Sequence, residues 1–149
     1  DQTPAVINTA YALTFDTTDI SNGVSIGTPT SRIIVPQSGL YNFNATVQLI
    51  SGNTSAKNVW VWFRKNGTDI ADSNSRFGLA ARKSVGDPFH IVGALNFFVS
   101  VTGNDYIQLM WRTSNTNVQI EYYAAGTSPT RPAIPSVILT ATFVSSVIT

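Results

Sequence analysis

"LYNFNATVQLI", residues Leu40 to Ile50, alternates without a break: Tyr41, Phe43, Ala45, Val47 and Leu49 are apolar, and Asn42, Asn44, Thr46 and Gln48 between them are polar. Side chains on a strand point to opposite faces in turn. This spacing therefore predicts a strand with one buried and one wet face, as in an antiparallel sheet laid over a core. Asn117 to Tyr123 repeats the pattern, with Val118, Ile120 and Tyr122 against Asn117, Gln119 and Glu121. The two segments are expected together in an outer sheet.

The next strand along reads differently. "VWVWFRKNGTDI", Val59 to Ile70, sets Val59, Val61 and Phe63 on one face and Trp60 and Trp62 on the other, then turns on Asn66-Gly67. Asp105 to Thr113 and Ser136 to Val147 also carry apolar residues on both faces. These three segments are expected to form an inner sheet. A buried tryptophan removes about 150 to 250 Å² from water, a gross ~4 to 6 kcal/mol, so Trp60 and Trp62 require a cover. A neighbouring subunit is one candidate cover, and the proline-rich stretch Ala124 to Pro135 of the same chain is the other.

Period-two alternation punctuated by Gly, Pro, Asn and Ser recurs from end to end, and helical periodicity does not. About ten short strands are predicted, near Ala5 to Phe15, Val24 to Ile26, Ser31 to Val35, Leu40 to Ile50, Lys57 to Lys65, Thr68 to Ala71, Arg76 to Arg82, Pro88 to Ser100, Asp105 to Thr113, Asn117 to Tyr123 and Ser136 to Val147. The pair flanking Asp72 to Ser75 also reads as one bent strand. The expected fold class is all-β, a two-sheet jelly-roll sandwich, with residues 1–149 as a single jelly-roll domain.

Composition narrows the function classes. Charged residues make up 11% of the chain and the formal net charge is +1, so the many cations that a phosphate backbone demands are missing and no nucleic-acid partner is expected. No stretch approaches the ~20 apolar residues of a membrane span, and no membrane partner is expected. The absence of cysteine excludes disulfides and thiolate metal sites. The chain begins at Asp1, which predicts processing, trimming or a start inside a longer product.

No catalytic, cofactor or metal site is expected. The single histidine, His90, has Asp87 three positions before it but no Gly-x-Ser-x-Gly elbow to supply a nucleophile, and it reads as a surface residue. Asp16 with Asp19, and Asp69 with Asp72, lack the density of oxygen ligands that calcium requires, and turn capping is the expected role. Three Asn-x-Ser/Thr sequons, at Asn44, Asn53 and Asn66, read as a by-product of amide-rich strands. Tyr123, with Asn and Gln nearby, is the one aromatic singled out for stacking on a sugar.

The stretch "PQSGLYNFNATVQL" resembles the Gly-x-Tyr-x-Phe strand of complement-one-q and tumour-necrosis-factor-like jelly rolls. It is followed at family-like spacing by "VWVWFRKNGTDI", "DYIQLMW" and "SVILTATFV". Gly39, Tyr41 and Phe43 match that motif, with Trp111 beside them in the expected core. Asn104 separates Gly103 from Asp105 where the family has them adjacent, and collagen-like repeats and cysteines are missing, which sets the chain apart from animal members. "NTAYALTF", "NGVSIGTPTSRIIVPQSGLYNF", "VWFRKNGTDIADS" and "IPSVILT" are similar to small jelly-roll domains of structural proteins in tailed-phage virions.

The resemblance implies a homotrimer whose inner sheets meet around a three-fold axis, and on the pattern above the expected trimer interface is Trp60, Trp62, Tyr106 and Met110. It further implies a non-enzymatic virion structural protein on the outer surface of the phage particle. There it would act as a capsid decoration, or cement, knob whose partner is the major capsid protein or another virion protein. The alternative is the receptor- or glycan-binding tip of a tail or head fibre, with a host-surface glycan as partner. A fibre tip predicts a gene that continues upstream of Asp1 with a shaft.

Overall fold

The computed structural model describes residues 1–146, and among them every regular element is a β-strand. In chain order these are β1 (Tyr11–Ala12), β2 (Ser25–Ile26), β3 (Ile33–Ile34), β4 (Gly39–Ser51), β5 (Lys57–Lys65), β6 (Thr68–Asp69), β7 (Ser75–Leu79), β8 (Phe89–Val101), β9 (Tyr106–Thr113), β10 (Val118–Ile120), β11 (Gly126–Thr127), β12 (Thr130–Arg131) and β13 (Val137–Ser145). All ladders between them are antiparallel.

One sheet runs β2-β3-β9-β5-β6, with β1 also on β9 and β7 also on β5. The other is built on β4. Strand β8 pairs with β4 in register from Gly39↔Val101 to Ser51↔Phe89, while β13 and β10 share the opposite edge, at Leu40 to Val47 and Leu49 to Ser51 respectively. The alternation of "LYNFNATVQLI" decides which face turns inward: Tyr41, Phe43, Ala45, Val47 and Leu49 are buried. Opposite them stand Val59, Val61 and Phe63 of β5 and Ile107, Leu109 and Trp111 of β9, all in one core cluster. Phe43 and Phe63 meet across it with ring centroids 6.0 Å apart.

Asn66 and Gly67 turn β5 into β6 with φ of 48° and 83°, the left-handed pair that a two-residue hairpin needs. Gly39 serves close approach: a Cβ there would sit 2.6 Å from both the Phe143 ring and the Ser145 carbonyl oxygen at the end of β13. Tyr41 and Phe143 pack edge to face beside it at 5.4 Å.

Two expectations are corrected, for Ser136 to Val147 and for Ala5 to Phe15. Ser136 to Val147 does not join Lys57 to Lys65 and Asp105 to Thr113; β13 pairs with β4, because Val137, Leu139, Ala141 and Phe143 form one inward set while two threonines, Thr140 and Thr142, interrupt the outward one. Val147 lies outside the described residues. Ala5 to Phe15 forms a strand only at Tyr11–Ala12, since the segment before it folds into a turn with Asn8 at φ 55°. Thr68 to Ala71 and Arg76 to Arg82 are separate short strands, joined through a turn that Ser73 clamps by accepting from the Phe63 N–H (3.0 Å) and donating to the Ile70 carbonyl (2.8 Å). Within Ala124 to Pro135, β11 and β12 pair as a small hairpin.

Candidate assembly face

Each sheet has an outward face. On the β9 sheet it is formed by the even-numbered residues of β5 and β9, and it holds all four residues expected at a trimer interface, Trp60, Trp62, Tyr106 and Met110. The register sets Trp62 opposite Met110 and Trp60 opposite Arg112. Met110 is 3% exposed and Trp62 9%. The cover comes from the chain itself. Ala12 of β1 pairs with Met110, the Trp62 Nε1–H donates to Asp69 Oδ1 (2.8 Å), and the Arg112 guanidinium lies 4.1 Å from the Trp60 ring centroid. Arg32 sits 4.3 Å over Tyr106 in the same way.

Trp62 and Met110 are thereby buried without a neighbouring subunit, Trp60 and Tyr106 stay partly exposed under their arginines, and none of these contacts comes from the proline-rich stretch. Arginine stems and the β1 segment do the work, keeping charge in water while shielding aromatic area. The clue was present in Arg112, one residue after Trp111, but only the β5–β9 register sets it against Trp60.

The outward face of the β4 sheet has no such cover. Leu40, Asn42, Asn44, Thr46, Gln48 and Ile50 of β4 alternate with the inward set. They stand beside Val92, Ala94, Asn96, Phe98 and Ser100 of β8 and Ile138, Thr140, Thr142 and Val144 of β13. None of these is charged, and at the end of the sheet His90, opposite Ile50, faces Glu121 beside Gln48. Phe98 and Val92 are each 54% exposed, Ile138 49% and Val144 48%. At the centre Asn96 Nδ2 donates to Asn44 Oδ1 (2.8 Å) and Asn42 Oδ1 (3.2 Å), and Asn44 Nδ2 donates to Asn42 Oδ1. Asn42 Nδ2 is shut away from water without an acceptor. Three strands about 4.8 Å apart and about 30 Å long give a face of roughly 400 Å².

The residues named for chemistry are scattered. His90 stands at the rim of the β4 sheet, exposed, with Nδ1 3.0 Å from Glu121 Oε2. Asp16 Oδ1 accepts from the Thr17 hydroxyl (3.0 Å), and Asp72 occupies a turn at φ 62°. No group of three or more His, Asp and Glu side chains able to hold a metal occurs among the described residues. Asn66 ties the first hairpin to β9: its Nδ2 donates to Asp105 Oδ1 (2.7 Å) and its Oδ1 accepts from the Tyr106 N–H (2.9 Å). Tyr123 carries Arg131 at 4.6 Å from its ring centroid.

Gly39, Tyr41, Phe43 and Trp111 are all buried, with Tyr41, Phe43 and Trp111 in the shared core. Two hollows accompany these features. The larger, about 830 Å³, runs along Ile138 to Phe143 of β13 beneath the loop Thr17 to Val24, and Asp19 is the one charged residue lining it. The smaller, about 430 Å³, opens on the β9 sheet among Asn8, Ala10, Trp62, Asp69, Ile70, Asn74 and Arg112. Comparison with family models and with curated proteins returns no match for the chain.

Proposed function

We propose that the chain is a non-enzymatic structural subunit of a phage virion, a jelly-roll domain that assembles as a homotrimeric decoration, or cement, knob on the outside of the head. The observation that carries the reading is the outward face of the β4 sheet, studded with Phe98, Val92, Ile138 and Val144, whose ionisable side chains among the described residues, His90 and Glu121, pair with each other at one end. Apolar residues around an amide cluster, with the one His90–Glu121 contact left at the rim, suit a surface buried against a second copy. The face offers about half the ~800 Å² that a stable interface takes from one partner, and in a closed ring two neighbours share it, so the loops and edges beside the sheet must supply the rest of the buried area.

The chain's path supports the jelly roll. It crosses between the sheets at β3 to β4, β4 to β5, β7 to β8, β8 to β9 and β9 to β10. A trimer closed over the β4 sheets would turn the arginine-covered β9 sheets outward. Three identical edges could then grip a local three-fold junction of the major capsid protein or another virion protein, where modest contacts add through multivalency. Sedimentation equilibrium tests the assembly, with three times the chain mass expected at micromolar concentration. Mixing the protein with shells of major capsid protein tests the knob: saturable binding that raises the shells' melting temperature is expected, and a trimer that leaves the shells unbound would overturn the decoration reading.

A further inference from the structure

The smaller hollow lies on the opposite side of the sandwich from the assembly face and holds an unusual mixture of side chains. Trp62 is among the residues that line it. Its walls are one carboxylate (Asp69), one guanidinium (Arg112), two amides (Asn8 and Asn74) and the apolar Ala10 and Ile70. At about 430 Å³ it falls in the size range of small-molecule sites, roughly 300 to 1,000 Å³.

The walls are held in place by contacts that leave hydrogen-bonding capacity free. Asp69 Oδ1 accepts from Trp62 Nε1 (2.8 Å) and Arg64 Nε (2.6 Å), and Oδ2 takes no partner among the described residues. Arg112 is fixed by stacking on Trp60, yet among the described residues none of its five N–H groups makes a hydrogen bond or ion pair. Asn8 is anchored through its backbone N–H to the Thr113 carbonyl (2.9 Å), and Ile70 and Asn74 flank the turn that Ser73 clamps. Neither amide side chain makes a hydrogen bond among the described residues. Such rigidity with unspent donors and acceptors is the arrangement a binding site requires.

The mixture selects the ligand by elimination. A cation would meet Arg112, and a single carboxylate falls far short of a metal's ligand count. A simple anion would meet the ionised Asp69, and a large apolar molecule would strand four polar walls. A hydroxyl both donates and accepts, so a ring bearing several of them satisfies carboxylate, amide and guanidinium together and lays its C–H face on indole. We propose that this hollow binds one pyranose unit of a glycan, with Asp69, Arg112, Asn8 and Asn74 addressing its hydroxyls. The site stands on a single chain and is independent of assembly.

The test is a titration of the whole protein with the methyl glycosides of glucose, galactose, N-acetylglucosamine and glucuronate, followed by the indole N–H resonances of its three tryptophans. The Trp62 resonance should move saturably with at least one neutral glycoside while that of buried Trp111 stays still. Asn74→Ala and Arg112→Lys should each weaken the response at least tenfold, with the Trp111 resonance unchanged as proof of folding. Silence at Trp62 for the whole panel would overturn the proposal. A response to glucuronate matched by plain acetate, with none to the neutral sugars, would also overturn it, because Arg112 would then be an anion site. Sedimentation of the same samples keeps this outcome separate from that of the trimer.

Discussion

The two outward faces of the sandwich use the same strand geometry and reach opposite surfaces. On the β9 sheet aromatic residues dominate, and the chain covers them with its own arginines, with Asp69 and with the segment around β1. On the β4 sheet large apolar side chains are fewer, yet they stay bare around a cluster of amides. An apolar residue count alone would name the β9 sheet as the sticky one. What matters is whether a long charged side chain stands one strand over to cover each ring, and on the β4 sheet none does.

The strongest way to break this contrast is to charge the bare face. Thr140→Lys places an ammonium opposite Asn44, at the centre of the proposed interface, where Thr140 makes no side-chain hydrogen bond. Three copies brought together would meet like charge at a cost of several kcal/mol, so the trimer should sediment as monomer while the urea midpoint of the monomer hardly moves. Arg76→Glu, on the exposed end of the other face beside Trp60, should leave sedimentation unaltered. If the two variants sediment alike, the β4 sheet is not the assembly face.

A second change asks what seats the end of β13 on the β4 sheet. Gly39→Ala puts a methyl group against the Phe143 ring and the Ser145 carbonyl oxygen, both 2.6 Å away, so the end of β13 must shift. Overpacking of this kind costs about 1 to 3 kcal/mol, read as a lower urea midpoint. Stability equal to that of the parent would show that β13 adapts without strain.

Much of the sandwich is legible in the sequence. The alternation of Leu40 to Ile50, the fully apolar inward set of β5, and Asn66-Gly67 each follow from a local rule, and each appears in the structure as read. Gly39 was legible as a motif, although its reason, the approach of Phe143, was not. What escaped is non-local. Ile138 and Val144 next to an inward apolar set made β13 look buried on both sides. Only its register against Thr46 and Asn42 shows an outward row broken by threonines. In the same way nothing within Val59 to Phe63 announces that Arg112 covers Trp60 or that Asp69 accepts a hydrogen bond from the Trp62 indole N–H. The hollow beside Trp62 draws on four separated segments, Asn8 to Ala10, Trp62, Asp69 to Asn74 and Arg112, which no sequence spacing relates.

A smaller effect is expected from uncovering one ring. Arg112→Ala should cost about 0.5 to 1 kcal/mol, the size of an exposed cation–π contact, and should red-shift Trp60 fluorescence as water reaches the indole. Arg112→Met should restore part of the loss, because a thioether chain covers area without the charge. Full recovery by methionine would assign the whole effect to shielding.

The finest distinction between the faces is acid sensitivity. The hydrogen bond from the Arg64 guanidinium, helped by the Trp62 N–H and opposed by partial burial, holds the Asp69 carboxyl below the usual carboxylate range. Burial acts to raise Asp105, but the Thr102 N–H, the Asn66 amide and the Lys65 charge together bring it below that range as well. A carboxyl whose folded value is depressed binds its proton less readily than the unfolded chain does. Its contribution is therefore complete above the unfolded value of about 3.9 and is lost as pH falls through the folded one. The urea midpoint should fall on acidification below about pH 4. Asp69→Asn should make that fall shallower without removing it, since Asp105 remains, and at neutral pH should cost no more than about 1 kcal/mol, as suits a half-exposed pair. An unchanged acid slope in Asp69→Asn would mean that the Arg64–Asp69–Trp62 contact is not stabilising, and that stacking and packing alone keep the β9 sheet covered.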